Sequence, residues 1–364
     1  MNLDRLAWIT LNRVLGAGSA VVHRLVTLAG SPAKVFSLKP KNKSEKTNLA
    51  IKSEVMTLLA RLPWQDIAQE ELSRCDKLSG YIITLADEDY PGLLRQIDMP
   101  PPVLYIKGKL KANSLRKLGV VGSRKPSVYG ITAVRDLVKG LVSQGFTIIS
   151  GLARGIDAQA HSITLEEQGI TWAVLAHGID QLYPRENKRI YEKIIANQGA
   201  IVSEFPIGVA PLRHHFPQRN RIISGLTQGI LVIEAGVKSG ALITARWAGE
   251  QGREIFALPG PYKAALSQGT HALIKDGAKL VTKLSDILEE FKLNTLASES
   301  SLPAISQLNL AYNPVLEALT EGGLHVDQIA DKCKNSSSGV LVELLSLELK
   351  GLVKQAPGQI YYRV

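Results

Sequence analysis

Residues 118–149 read LGVVGSRKPSVYGITAVRDLVKGLVSQGFTII. A short apolar run ends in Gly122-Ser123-Arg124, a helical pattern follows from Gly130 to Gln144, and Phe146–Ile149 is a second apolar run. Short apolar runs that alternate with helices of about ten to fifteen residues indicate βαβ units and a buried, mostly parallel sheet. Gly145 lies just past the helix, where a left-handed residue is needed for the C-cap.

The same alternation continues toward the C-terminus. Further apolar runs lie at Ala173–Ala176, Ala200–Ser203, Ile230–Ile233, Ile255–Leu258 and Lys279–Thr282. Gly169 and Gly252 are placed like Gly145, after the intervening helical stretches, and predict two more left-handed caps. The sequence therefore predicts an α/β protein whose core, residues 79–291, is a doubly wound, Rossmann-like, mostly parallel sheet.

Two smaller domains are predicted beside this core. Residues 1–78 have helical patterns on both sides of Gly16-Ala17-Gly18, which is typical of a small helix-hairpin-helix or SAM-like domain. The amides of that turn could hold a phosphate, or the turn could serve packing alone. Within this domain, residues 39–48 are polar and predict a loop.

The C-terminal part follows a polar linker at residues 292–306. Residues 307–364 contain three helical stretches and a hairpin signal, which predicts a winged-helix-like domain. That fold usually places a helix in a DNA major groove. A protein-contact role is equally open, because this segment carries 5 basic and 6 acidic side chains, a net charge of −1.

Positive charge is concentrated in the predicted core. The whole chain has 364 residues and a net charge of +10. Residues 111–290 carry 22 basic and 15 acidic side chains, a net of +7, against +4 for residues 1–110. This distribution indicates that an anionic partner would bind the core.

Composition also narrows the class of protein. Only Cys75 and Cys333 are present, far apart in the chain, which argues against a disulfide framework and suits a reducing cytoplasm. No apolar run reaches the roughly 18 residues of a membrane span, and the N-terminus lacks the apolar segment of a signal peptide. We therefore expect a cytoplasmic protein with no membrane association.

Five consecutive strand ends carry glycine, serine, arginine or lysine. Ligands of open parallel sheets bind outside the carboxyl ends of the strands, so these loops are the predicted binding site. The candidate residues are Gly122, Ser123, Arg124, Ser150, Gly151, Arg154, Gly155, His177, Arg213, Phe216, Arg219, Asn220, Arg221, Lys238, Ser239 and Gly240. Backbone amides near a helix start and the planar fork of arginine both suit phosphate oxygens. The pattern favours a nucleotide or a phosphate-bearing polymer.

Phe216 indicates which kind of phosphate-bearing ligand this site could bind. It is one of six phenylalanines in the chain and lies among arginines. An aromatic ring in a cationic loop can stack on a nucleic-acid base without selecting a sequence. The alternative, that Phe216 anchors a long loop in the core, is equally open at this point.

No motif for a catalytic, metal or cofactor site is evident. A P-loop is missing, GSRKPSVYG at residues 122–130 departs from the G-x-G-x-x-G fingerprint of dinucleotide binding, and no zinc-protease or hydrolase motif occurs. We predict no cofactor, no metal and no catalytic residue. Glu234, a lone carboxylate at a strand end, keeps catalysis open.

Taken together, these loops resemble the DNA-processing protein A family (DprA/Smf). The matching motifs are VVGSRKPSVYG (120–130), SGLARGIDAQAH (150–161), VLAHGID and LYP (174–184), SEFPIG (203–208), HHFPQRNRIISGL (214–226), VIEAGVKSGALITA (232–245), and ALPG (257–260) with QGTHALIKDGA (268–278). They occur in order over roughly residues 80–290 and are highly specific in combination. The flanking segments resemble that family's optional N-terminal helical and C-terminal winged-helix domains.

The resemblance implies a function. Members of the family bind single-stranded DNA that enters during natural transformation, protect it and help load the RecA recombinase; they form homodimers and have no established catalytic activity. By motif, Gly122, Ser123 and Arg124 would form a central phosphate pocket, and Phe216 would stack or wedge a base. Arg213 stands where lysine is commoner and should still bind phosphate, while residues 219–221 would shape the pocket.

The alternative to a DNA-binding function is that the protein is an enzyme. A similar Rossmann-type core occurs in the LOG-like nucleoside-monophosphate phosphoribohydrolases, whose signature loop P-G-G-x-G-T-x-x-E carries a catalytic glutamate. Residues 234–245 read EAGVKSGALITA, without the second glycine pair and without the trailing glutamate. That departure argues against hydrolysis.

A third possibility is a protein scaffold with no small-molecule or nucleic-acid ligand. It would leave the cationic strand ends unexplained.

Overall fold

A computed structural model describes residues 2–18, 20–38, 53–110, 116–291, 314–319, 322–333, 335–349, 352–356 and 358–363. The chain divides into two compact units, Met1–Asn294 and Thr295–Val364. The predicted polar loop at 39–48 and the predicted linker at 292–306 lie outside the described residues. The domain boundaries drawn from the sequence stay predictions.

The described strands of the first unit form one nine-stranded sheet in the order β1-β2-β6-β5-β4-β3-β7-β8-β9. The strands are β1 Gly80–Thr84, β2 Val103–Gly108, β3 Lys117–Val121, β4 Thr147–Ser150, β5 Thr171–Leu175, β6 Ala200–Ser203, β7 Gly229–Val232, β8 Glu254–Ala257 and β9 Lys279–Leu280. From β6 to β9 every neighbouring pair is parallel. The predicted doubly wound α/β fold is confirmed, and the carboxyl ends of the parallel strands meet at one edge.

Helices cover both faces of this sheet. They are α1 Leu3–Leu15, α2 Ala20–Ala29, α3 Ser53–Ala60, α4 Trp64–Lys77, α5 Gly92–Arg95, α6 Val128–Ser143, α7 Ile156–Glu166, α8 Lys188–Ala196, α9 His215–Gly225, α10 Gly240–Glu250, α11 Gln268–Lys275 and α12 Leu284–Glu290, with short 3₁₀ helices at Ala33–Ser37 and Arg185–Asn187. Strands buried on both faces explain why the sequence shows continuous apolar runs and not an alternating pattern. Every residue of β3, β4, β5, β6 and β7 is buried.

Two features of the core differ from the sequence prediction. Strands β1 and β2 were not predicted, and they pair antiparallel with each other and with β6. At the end of α7 the left-handed residue is Gln168, with φ +56°, and not Gly169. Gly169 is needed for space, because a Cβ there would lie 2.6 Å from Val142 Cγ1. The predicted left-handed caps at Gly145 and Gly252 are confirmed, with φ of +77° and +64°.

The N-terminal helices pack directly on the sheet and on α9. Arg5 donates to the carbonyl of Ile82 on β1 (2.9 Å), and Asn12 donates to the carbonyl of Glu204 just after β6 (3.0 Å). Glu71 of α4 is buried and accepts from the amide of Ile207 (3.0 Å). These contacts place residues 1–78 in the same compact unit as the Rossmann-like core.

The second unit is a winged-helix fold, as the sequence predicted. It contains α13 Pro314–Ala318, β10 Leu324–His325, α14 Val326–Cys333, α15 Ser337–Leu349, β11 Val353–Ala356 and β12 Ile360–Arg363. The strands form an antiparallel sheet in the order β10-β12-β11, with Tyr361 opposite both Leu324 and Gln355. Ile329, Val340 and Leu344 form part of its apolar core. Across the described residues of both units, no helix has the length and apolar character needed to cross a membrane.

A histidine behind the core strands makes the stability of the protein sensitive to acid. His161 of α7 is fully buried, and its Nδ1 lies 2.6 Å from the hydroxyl of Thr171. That hydroxyl donates to the carbonyl of Ile148, so it accepts from a protonated Nδ1, which leaves Nε2 as the basic nitrogen. Burial, with a smaller effect from the charge of Arg219, lowers the pKa of His161 to about 3.

We expect acid to destabilise the wild type more than a His161→Gln variant. Because the unfolded histidine titrates near pH 6.5, the stability tied to the neutral ring is complete above that pH and is lost as pH falls toward 3. Between pH 6.5 and 5 the wild type should lose about 1.6 kcal/mol more than the variant. Urea unfolding at several pH values measures this difference. The exposed His214, changed to glutamine, is the control; equal acid sensitivity of all three proteins would contradict the prediction.

Candidate functional site

The loops after β3 and β4 lie against each other at the carboxyl edge of the sheet. Ser123 is buried, its carbonyl accepts from the amide of Ile156 (3.1 Å), and its hydroxyl accepts from the amide of Lys125 (3.1 Å). A Cβ added at Gly122 would lie 2.7 Å from Ile156 Cγ1. Gly155 has φ +74°, and its Cα faces the backbone of Ser123 and Arg124 with no room for a side chain. The glycines predicted here therefore allow two backbones to pack closely beside the start of α7.

An exposed arginine and two aromatic rings meet above these loops. The guanidinium carbon of Arg124 lies over the Phe216 ring, 5.5 Å from its centroid, in a cation–π contact. Tyr183 packs edge-on against Phe216, with 5.8 Å between ring centroids and an interplanar angle of 65°. Phe216 is half-buried and Tyr183 is 43% exposed. This trio, Arg124, Phe216 and Tyr183, is called the stacking platform below; it offers a cation and aromatic surface to solvent at one point.

Arg219 lies beneath the platform and is only 3% exposed. Its guanidinium donates to the carbonyl of Gly151 (2.8 Å) and to the carbonyl of Val174. Asp157 accepts from the amides of Gly151 (3.1 Å) and Ala153 (3.4 Å). Burial lowers the pKa of Arg219 to about 10, against the opposing charge of Asp157, whose own pKa burial raises. Arg219 therefore holds the β4 and β5 loops together and is not directed at solvent.

Arg221 and Glu204 form a buried ion pair (2.5 Å) on the other side of α9. Gln218 donates to Glu204 Oε1 (3.0 Å) and to the carbonyl of Ala17 (2.8 Å). Burial raises the pKa of Glu204, and its partner Arg221 opposes the shift. The Gly16–Gly18 turn thus contacts α9 through the carbonyl of Ala17.

The remaining predicted residues fall into buried and exposed groups. Ser150 is buried and donates to the carbonyl of Val120 (2.6 Å), and His177 is buried with its pKa lowered by desolvation. Asn220 donates to the carbonyl of Gly240 (3.2 Å), and Ser239 caps α10 by accepting from the amide of Ala241 (3.3 Å). The exposed cations among the candidates are Arg124, Arg154, Arg213 and Lys238.

Arg154 is the one of these four cations that has an ion-pair partner within the described residues. Its guanidinium forms a double hydrogen bond to the carboxylate of Glu186, with Nη2 3.0 Å from Oε2. The hydrogen bond from Arg154 lowers the pKa of Glu186, and the carboxylate in turn raises the pKa of Arg154. Both side chains are more than half exposed, so the pair is open to exchange with a competing anion.

Glu234, the lone carboxylate that kept catalysis open, is buried against the start of α6. It accepts from the amide of Ser127 (2.9 Å) and from the hydroxyl of Ser127 (2.5 Å). Ser127 also caps the helix by accepting from the amide of Gly130 (3.1 Å). Both oxygens of this carboxylate are used to fix the α6 N-terminus.

Sequence reasoning did not include Tyr183 and Glu186 in the site. Tyr183 meets Phe216 across 33 residues of chain, and Glu186 meets Arg154 across 32 residues. The available signal was the position of the Tyr183-Pro184-Arg185 segment after a predicted strand end. That position indicates a loop at the binding edge, but it does not indicate which ring or carboxylate the loop brings to the site.

A doubly wound sheet with exposed cations and aromatic rings at its carboxyl edge, together with a winged-helix unit, defines a class of Rossmann-type proteins. Comparison with known families identifies which one: the family described as DNA recombination-mediator protein A matches residues 81–292, and the DprA winged helix domain matches residues 299–359. The chain belongs to the DNA recombination-mediator protein A family. It is therefore a DNA-processing protein with a role in recombination.

Individual relatives agree with this assignment. Protein Smf of Escherichia coli K12 is 44% identical over 285 residues, which is 76% of each chain. The X-ray structure of DNA processing protein A from Streptococcus pneumoniae superposes with a TM-score of 0.56 at 36% identity, over 70% of this chain and 92% of that one. DNA processing protein A of Helicobacter pylori, whose structure concerns its single-stranded DNA binding mode, gives 0.53 at 28% identity, over 58% and 95%.

Proposed function

We propose that this protein binds single-stranded DNA at the stacking platform, protects it and helps load the RecA recombinase onto it. The observation that carries the proposal is the contact of Arg124 with Phe216 at the carboxyl edge of the sheet. A base can stack on an aromatic ring whatever its identity, while a neighbouring guanidinium neutralises its phosphate. The Helicobacter pylori relative, with its single-stranded DNA binding mode, supports this choice of ligand.

In this proposal the predicted site residues have three kinds of role besides stacking. The exposed cations Arg124, Arg213 and Lys238 contact phosphates, and the backbone of Gly122 and Ser123 supplies amides near them. The backbone of the Gly151–Gly155 loop, the α10 start at Ser239-Gly240 and the buried Ser150 and His177 form the floor. Arg219, Asn220 and Arg221 act by positioning α9, because their side chains already have internal partners.

Several further properties belong to the same proposal. The resemblance of these motifs to the DprA/Smf family supports a homodimer, a part in natural transformation and RecA as the protein partner. The two isolated cysteines support a cytoplasmic location. We propose no catalytic step, since both oxygens of Glu234 are engaged by Ser127.

The test is a filter-binding assay with single-stranded DNA and duplex DNA of matched length, run beside a ribose-release assay on nucleoside monophosphates. We expect tighter binding to single strands, with affinity that falls steeply as salt rises because phosphate neutralisation releases counterions. No ribose should be released. Equal affinity for single strand and duplex would contradict the proposed ligand, and ribose release that is lost in Glu234→Gln would favour the phosphoribohydrolase alternative.

A further inference from the structure

Three cations lie in a row along the helix that leaves the stacking platform. Arg185 belongs to the 3₁₀ helix Arg185–Asn187, which runs directly into α8, where Arg189 and Lys193 follow at intervals of four residues. Because side chains four residues apart on an α-helix lie on one face, Arg189 and Lys193 share a face of α8, and Arg185 precedes them in the 3₁₀ helix. All three are exposed. We call Arg185, Arg189 and Lys193 the α8 stripe.

The acidic residues around the stripe are already paired with other cations. Glu186 binds Arg154, Glu192 lies 3.8 Å from Lys188, and Glu166 lies 3.2 Å from Arg135. In the described part of the chain, no ion pair involves any member of the stripe. Three positive charges in one row without compensating carboxylates repel each other, so a bound anion would relieve an existing repulsion.

The stripe also borders a groove. Between α7 and α8 lies a cavity of about 490 Å³, lined in part by Arg189 and Lys193 and by the polar side chains of Ser162 and Asn197. The carboxylate of Glu166 also lines it, and this carboxylate is paired with Arg135. Leu165 and Ile190 supply apolar surface at the same place. A groove with cations along one wall and mixed polar and apolar surface suits the backbone and sugars of a nucleic acid strand.

The stripe is continuous with the stacking platform. Arg185 follows Tyr183 by two residues, and the ring of Tyr183 contacts Phe216. From Arg185 to Lys193 the helix advances about 12 Å at 1.5 Å per residue. A strand with one base on Phe216 could therefore pass Tyr183 and place successive phosphates along the stripe.

We propose that the α8 stripe and its groove continue the DNA path, and that they bind the phosphates of the strand next to the nucleotides held at the platform. The inference rests on the proposed function, since it takes single-stranded DNA as the ligand of the platform. It adds a second binding segment, on a face of the sheet away from the strand-end loops.

The experiment compares the double variant Arg189→Gln/Lys193→Gln with wild type on two deoxythymidine oligomers of about 6 and about 20 nucleotides, chosen from the range of single-strand site sizes. The short oligomer fills the platform alone, so its affinity should be unchanged. Affinity for the long oligomer should fall on the order of tenfold, and its salt slope by about 1.4, because each phosphate contact on a single strand contributes about 0.7. Lys34→Gln/Arg61→Gln, two exposed cations of the N-terminal helices, removes the same charge and should leave both oligomers unaffected.

Each other outcome overturns the proposal in a recognisable way. If the double variant binds the long oligomer as wild type does, the strand does not follow α8, and the stripe is left for another acidic partner. If the control variant loses as much affinity as the stripe variant, the loss comes from the lower net charge of the protein. The strand then does not bind along α8. If wild type binds neither oligomer, the proposed function fails and this inference fails with it.

Discussion

Replacing Arg124 with alanine should weaken single-stranded DNA binding about ten- to a hundredfold, since a charge-assisted contact contributes on the order of 1.5–3 kcal/mol. The side chain is exposed and contacts Phe216, so its loss should leave the melting temperature nearly unchanged. Arg124→Lys should recover only part of the affinity, because lysine has a point charge without the planar fork. The measurement is a salt titration of binding, in which Arg124→Ala should lower the slope by about 0.7, the value for one phosphate contact on a single strand.

Phe216→Ala is the matched comparison for this experiment. It should also reduce affinity, by about 1–3 kcal/mol per stacked base, but the salt slope should stay close to that of wild type because stacking releases no counterions. Phe216 is half-buried, so a purely structural role would show as a lower melting temperature with unchanged affinity. If both variants stay folded and bind as wild type does, the platform is not the DNA site.

Arg219→Ala should produce the largest loss of stability. Removing a buried hydrogen-bond donor costs about 1–3 kcal/mol for each acceptor left unsatisfied, and more where a charged group is involved. Here Asp157 would remain buried, and the carbonyls of Gly151 and Val174 would lose their donor. The free energy of unfolding in urea measures the effect.

Arg213→Ala provides the control, six residues earlier in the same segment. Arg213 is exposed, so its loss should change stability by no more than about 0.5 kcal/mol while still reducing DNA affinity. Adding Asp157→Asn to Arg219→Ala should restore part of the lost stability, since it removes the uncompensated carboxylate. An Arg219→Ala protein as stable as wild type would show that this arginine does not hold the loops.

The sequence predicted correctly that these strand ends meet at one edge of the sheet, because parallel topology forces them together. Once alternating apolar runs and helices are identified, the loops after β3, β4, β5 and β7 must meet, whatever their side chains do. The glycines at 122 and 155 also follow from this geometry, since close backbone approach leaves no room for a Cβ.

The sequence could not show which of the candidate arginines are exposed to solvent. Arg213, Arg219 and Arg221 look equivalent in PLRHHFPQRNRIIS, yet the first is exposed and the other two are buried with partners from β4, β5 and the loop after β6. Local pattern does not distinguish a buried arginine from an exposed one when its compensating groups come from distant segments. Strands β1 and β2 were missed for a related reason: their antiparallel pairing completes the sheet at one edge without the βαβ pattern.

The hydrogen bond from Gln218 to the Ala17 carbonyl affects which parts of the structure unfold together. Asn12, Ala17 and Glu71 tie the N-terminal helices to α9 and to the segment after β6, where the Arg221–Glu204 pair is buried. Elements joined by buried polar contacts open together as one cooperative unit. The helix that carries Phe216 and the N-terminal helices should therefore show the same protection from hydrogen exchange, even though the stacking platform includes a residue of α9 and none of the N-terminal helices.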